Sequence, residues 1–312
     1  MTRPTSSRPH PSLFMVGEVC TGLLMNRAAL PASVAAELLN VAAGERVRSH
    51  ERPVRRSVSP DLLHGLDRSL EPGAGGPLRG TGTLRVRGRV VGGRVVQSST
   101  RAVVRAGNGR RMHWGHHLTQ PGVVEVNGRG DRADLARSFA ESDAFGTLDM
   151  NAANTSLLVR LQASRLLNQR PPLRTRRTRL RWSAIVDHGS PGFQGAFALI
   201  DDRVRAFRLV IPPSADASPE RLSTLCEDLA FHDWLLTTVT SAAERTGTDR
   251  GETSAAEKLA PLILELAHLW MPGAVVTAGL QEVWDRLEAH AGFTRQWSVC
   301  VGRIRDHLAL HP

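Results

Sequence analysis

Two sets of side chains in this sequence have the type and spacing to do chemistry. The first is His113-x-x-His116-His117, with Glu125 eight residues beyond His117. Imidazole nitrogens and a carboxylate are ligands for zinc and its neighbours, so a metal-assisted hydrolase at His113, His116 and His117 is one expectation. The spacing is a weak signal. On a helix His113 and His116 meet, whereas on a strand His113 and His117 share a face and His116 turns away. A loop whose histidines bond locally or pack on Trp114 explains the same residues without a metal.

The second set is basic. Arg174, Arg176, Arg177, Arg179 and Arg181 lead into Trp182, and Arg85, Arg87 and Arg89 alternate with Leu84, Val86 and Val90. Guanidinium groups neutralise phosphates and an aromatic ring stacks on a base, so an arginine-faced sheet would suit RNA or single strands if these strands share it. The aromatic complement is thin: there is no tyrosine and there are eight phenylalanines. An arginine face equally suits solvent, an acidic partner, or the chain's own acidic helices.

Asp233 falls in the middle of the helical stripe Leu222, Cys226, Leu229, Leu236. A carboxylate there needs a partner, and His232 points about 100° away around the helix. The expectation is a structural lock to an arginine or an indole N–H from another helix.

Composition removes other chemistries. Lys258 is the only lysine, and it follows Ala255, Ala256 and Glu257 rather than glycines, which excludes a Walker phosphate loop. Cys20, Cys226 and Cys300 are too scattered for a disulfide framework or a zinc ribbon, which fits a reducing cytoplasm. The glycines of Gly73 to Gly82 precede a strand instead of following one, so they do not make a dinucleotide fingerprint. No cofactor is expected, and no apolar run is long enough for a membrane span.

These residues must be positioned by elements that the pattern predicts in turn. Residues 1–12 read as a disordered tail, and residues 13–212 as a basic α+β region. Within that region lie a strand at 13–25, a helix at 31–43, a hairpin over 83–105 with a Gly92-Gly93 turn, and a third strand at 110–114. Helices at 131–140 and 152–167 follow, then a strand at 173–186 and a second hairpin that turns at Asp201-Asp202. Residues 213–312 read as a helical bundle, with Ser218 capping its first helix and Ser254 and Glu257 forming a capping box for its second. Leu259, Leu262, Ile263 and Leu266 stripe that second helix, with Leu264 on the opposite side, where it would contact a partner. The fold class is therefore α+β: a mainly antiparallel basic region followed by a C-terminal bundle. The charge divides with it. Residues 1–200 carry 29 arginines against 14 acids, and residues 201–312 carry 11 basic residues against 16 acids.

Cys226-Glu-Asp-Leu-Ala-Phe-His-Asp-Trp-Leu-Leu-Thr-Thr-Val239, with Pro172-Leu-Arg-Thr-Arg-Arg-Thr-Arg-Leu-Arg-Trp182 and Trp114-Gly-His-His-Leu118, resembles a family of uncharacterised actinomycete proteins, from about Val16 onward. The resemblance implies a component of a multi-protein system whose other members are a variant P-loop protein and a methyltransferase-like protein. It carries over no activity and no functional residue. The expected function is a non-enzymatic adaptor or regulatory subunit working through protein contacts in the cytoplasm. Nucleic-acid binding and the metal-assisted hydrolase stand as alternatives.

Overall fold

The computed structural model describes residues 14–70, 78–128, 132–141, 150–213, 217–248 and 263–310. Within them, ten strands form one mainly antiparallel sheet. Its central strand, β1 (Phe14–Leu23), pairs with β6 (Val95–Ala106) on one edge and β8 (Thr178–Val186) on the other. Every residue of β1 is buried, and a strand covered on both faces carries a nearly continuous apolar run.

The hairpin of β5 (Leu78–Val91) and β6 turns where the glycines predict, with left-handed φ of 60° at Gly92 and 69° at Gly93. The third strand is elsewhere than expected. Arg110 to His113 is irregular, and Trp114–Leu118 forms a short helix, α2. The extra strand is β7 (Val123–Asn127), wedged antiparallel to the start of β5 and parallel to the end of β6. Val124 and Val126 bury themselves there, whereas 110–114 has no alternating apolar residues to bury. The other edge of β5 pairs with β3 (Arg56–Val58) and β4 (Leu62–Leu70), and β2 (Arg48–His50) pairs with β3. Beyond β8, β9 (Gln194–Leu199) and β10 (Val204–Ile211) form the second predicted hairpin, with β10 parallel to β8. The Asp201 carboxylate holds the turn by accepting the N–H groups of Arg203 and Val204 at 2.6 and 2.8 Å.

Helices cover both sheet faces. Alternation along β1 sends Phe14, Val16 and Cys20 into one hydrophobic core and Met15, Val19 and Leu23 into the other. The first core takes in α1 (Ala32–Leu38), α3 (Arg132–Glu141) and α4 (Met150–Gln162). The second takes in α5 (Pro219–Thr248), the helical residues 263–267, α6 (Ala278–Ala291) and α7 (Phe293–Leu310).

The protein is thus a mixed α/β structure with a mainly antiparallel sheet, and its C-terminal helices pack against that sheet. Leu222, Leu229 and Trp234 of α5 share one core with Trp182, Phe207 and Ile211 of the sheet, so packing runs across the boundary placed at residue 212. The physical reason is that residues 225–236 of α5 are buried on every side, more than neighbouring helices alone would require. The expected tail at 1–12, the glycines at 73–76, Lys258, the Ser254–Glu257 capping box, Leu259 and Leu262 lie outside the described residues.

In the core beside β1, the Trp182 ring occupies the place where a Cβ on Gly17 would stand. Gly17→Ala forces the buried indole to move. Overpacking of this kind costs about 2 kcal/mol, and urea denaturation followed by tryptophan fluorescence should show a lower midpoint. An unchanged midpoint would mean that the ring is not seated on Gly17.

Candidate functional site

The face of the sheet beneath α5 is polar at its centre. Along β5, Arg85, Arg87 and Arg89 point towards α5, and in the hairpin register they lie opposite Arg101, Ser99 and Gln97 of β6. The expected arginine face therefore exists, but the helix covers it. Arg87 Nε and Nη2 donate to the two carboxylate oxygens of Glu227 at 2.6 and 2.8 Å. The Ser99 hydroxyl donates to the same carboxylate. Gln97 Nε2 links the Glu227 carbonyl, at 2.9 Å, to Thr21 of β1, at 3.0 Å.

Burial alone would push the Glu227 carboxyl up, but the Arg87 guanidinium and its hydrogen bonds, with Arg89 and Ser99, outweigh it and hold it at about 2. Arg87 is raised in turn, the attraction of Glu227 outweighing its own burial.

Arg89 is placed differently. It is 3% exposed, its Nη1 is 3.7 Å from Glu227 Oε2, too far for a hydrogen bond, and its Nε and Nη1 have no acceptor. Burial lowers its pKa, against the pull of Glu227 and Asp228. Arg101 bonds Asp61 at 2.7 Å and lies 3.6 Å from Glu220, while its Nε has no acceptor.

These residues open onto a cavity of about 330 Å³ at the N-terminal end of α5. Arg48 and Arg56 from β2 and β3, Arg85, Arg87 and Arg89 from β5, Arg101 from β6 and Arg221 from α5 line it, against Asp61, Glu220 and Glu227. Seven guanidinium groups facing three carboxylates make the wall strongly positive. His50, also on the wall, is held below the usual imidazole range by burial and by Arg56, Arg48 and Arg89. Such a wall can hold an anion by charge-assisted, bidentate hydrogen bonds.

The other basic run faces away from this cavity. Arg181 pairs with Glu18 at 3.4 Å on the α4 side of the sheet, where Asn154 joins the Glu18 carbonyl to Ser98 and Thr100. Burial raises the Glu18 carboxyl despite Arg179 and Arg181. Trp182 is buried on the α5 side, so its ring is not open beside these arginines for a base to stack on. Arg174, Arg176 and Arg177 are exposed in the segment before β8, with Arg176 paired to Asp202 at 3.0 Å. Arg179 and Arg181 share the sheet with Arg85, Arg87 and Arg89 but occupy its opposite face, because the alternation of each strand fixes its own direction. They form no continuous platform.

Asp233 accepts a hydrogen bond from Arg205 Nε at 2.8 Å, and burial raises its carboxyl to about 6 against that arginine. His232 contacts a different partner. Its Nε2 accepts the Met271 N–H at 3.2 Å, so Nδ1 carries the proton and donates to the Asp228 carbonyl at 2.8 Å. Leu264 is 47% exposed. His113 is exposed, while His116, His117 and Glu125 are brought together.

Glu227, Asp61, Arg48, Arg56 and Arg101 were missed as site residues. The signal for Arg101 was present: counting outward from Gly92-Gly93 sets Gln97, Ser99 and Arg101 across from the arginines of β5. Short polar strands such as β2 and β3 carry no comparable signal.

Fold and pocket together make this a helix-covered mixed α/β sheet protein with an arginine-walled cavity. Comparison with known protein families, with curated proteins and with solved structures finds no match.

The depressed Glu227 carboxyl has a measurable consequence. Its stabilisation is fully present above its unfolded-state value of 4.5 and is lost as the pH falls towards 2. The amount is on the order of 3 kcal/mol. Denaturant melts at neutral pH and near pH 3 should show a larger acid loss for the wild type than for Glu227→Gln; equal losses would refute the assignment.

Proposed function

We propose that this protein is a cytoplasmic, non-enzymatic adaptor or regulatory subunit of a multi-protein bacterial system, and that it responds to a phosphate-bearing small molecule held in the arginine cavity. The observation that carries this reading is Arg89, a buried guanidinium with two N–H-bearing nitrogens left without acceptors on a wall of seven arginines. A buried N–H without an acceptor among the described residues is costly, and phosphate oxygens would satisfy it. The cavity volume falls in the range of small-ligand sites.

The adaptor part of the proposal draws on exposed apolar residues. Leu264 and Met271 are exposed beside the α5 face, and Leu199 and Ile200 are exposed at the end of β9. Partners of the variant P-loop and methyltransferase-like classes are the ones that the sequence resemblance implies. Among the described residues, no helix is long and apolar enough to cross a membrane. Nucleic acid is the second reading, favoured by the exposed Arg174, Arg176 and Arg177.

Isothermal titration with phosphate, pyrophosphate and nucleoside di- and triphosphates tests the first reading. One of these ligands should bind in a salt-sensitive way, and Arg56→Gln should weaken it roughly tenfold or more, the worth of one charge-assisted hydrogen bond. Absence of binding, or equal affinity in the variant, would remove the ligand assignment. Binding of single-stranded RNA that is lost on changing Arg174, Arg176 and Arg177 to Ser, but not on Arg56→Gln, would establish the second reading instead.

A further inference from the structure

A second constellation lies on the same sheet face, towards the start of β5. His116 and His117 are neighbours on α2, and β7 brings Glu125 to them through its pairing with Thr81 of β5. One ligand atom from each of the three lies within 4.8 Å of the others. His116 Nε2 is 2.9 Å from a Glu125 oxygen. The two imidazole rings sit 5.2 Å apart at 77°, and the Trp114 ring packs edge-on against His117.

His117 is the decisive member. It is 3% exposed, and its Nε2 has no hydrogen-bond partner among the described residues. An imidazole nitrogen buried in this way carries a penalty of about 1–3 kcal/mol. A polar ring is expected in such a place when something outside the chain completes it.

Two imidazoles and one carboxylate select the kind of partner. Calcium and magnesium prefer all-oxygen shells, whereas zinc and other borderline transition metals take nitrogen with carboxylate. We propose that His116, His117 and Glu125 form a three-ligand site for a divalent transition metal, zinc above all, that leaves a coordination position open. Tetrahedral ligands at zinc stand roughly 3.3 Å apart, so the three side chains need close by only an ångström or so. The His116–Glu125 hydrogen bond is then replaced by two bonds to the ion. His113, four residues before His117, takes no part, which changes the ligand set that sequence spacing suggests. The site is independent of the arginine cavity: Arg85, which bonds Asp61 and the Pro121 carbonyl, stands between the two.

The test uses the full chain stripped with a chelator and then titrated with Co²⁺ as a visible-light probe, followed by displacement with Zn²⁺. One equivalent should give a ligand-field band of a four- or five-coordinate ion. Because loss of even an outer-shell partner costs 10–100-fold in affinity, loss of a ligand should cost at least ~100-fold. His117→Gln and Glu125→Gln should therefore weaken binding by that factor, and His113→Gln should leave it unchanged. Glu125 is partly exposed, so its variant decides the matter if the His117 variant does not fold. No bound equivalent, binding that survives Glu125→Gln, or binding abolished by His113→Gln would overturn the proposal.

Discussion

The polar contact between α5 and the sheet centres on one buried carboxylate. Glu227 is where α5 meets the polar centre of the sheet, and it takes up Arg87 bidentately while its own backbone carbonyl holds Gln97. Without that charge, Arg87 and Arg89 would lose the acid nearest to each of them, and removing one member of a buried pair costs several kcal/mol. Apolar packing supplies most of the attraction between α5 and the sheet. The carboxylate sets where along the sheet the helix sits, because only one position lets both of its oxygens meet the fork of Arg87.

The same pairing accounts for the uneven charge along the chain. The acidic C-terminal third lies on the basic sheet, with Glu220 near Arg101, Glu227 on Arg87, Asp233 on Arg205 and Glu265 on Arg94. Part of the basic excess of residues 1–200, 29 arginines against 14 acids, is therefore met by acids of residues 201–312, while the cavity at the start of α5 keeps seven arginines against three carboxylates. A separate helical bundle would leave these arginines facing water. Their burial beneath α5 is why the helices belong to the sheet.

The sequence made the elements legible where periodicity or turn chemistry was strong. The Gly92-Gly93 and Asp201 hairpins, the continuous apolar run of β1 and the stripe of α5 all stand where the pattern put them. Two things were not legible. Alternation in β5 says that arginines and aliphatics occupy opposite faces, but it does not say which face a distant helix will cover. Nor does a His-x-x-His-His string say that a wedge strand will carry Glu125 to the adjacent pair and leave the first histidine outside, since that contact is set by the β5–β7 register. Both sites are products of long-range pairing, and local spacing has no access to it.

A fold that buries this many arginines has to satisfy them, and the way it does so exposes where it stops. On the α4 side, Glu18, Asn154, Ser98 and Thr100 form a hydrogen-bonded set that holds helix and sheet together. On the α5 side, Arg87 is paired on two of its nitrogens, while Arg89, two residues along the same strand and just as deep, is 3.7 Å from the carboxylate it would share. One carboxylate has the geometry to receive one guanidinium fork fully, so the second must find acceptors elsewhere. Structural need alone would place an acid beside Arg89 or an aliphatic residue in its position. Arg89 thus keeps an ion-pair distance to Glu227 without the hydrogen bonds that Arg87 makes, at the edge of a cavity that other arginines line.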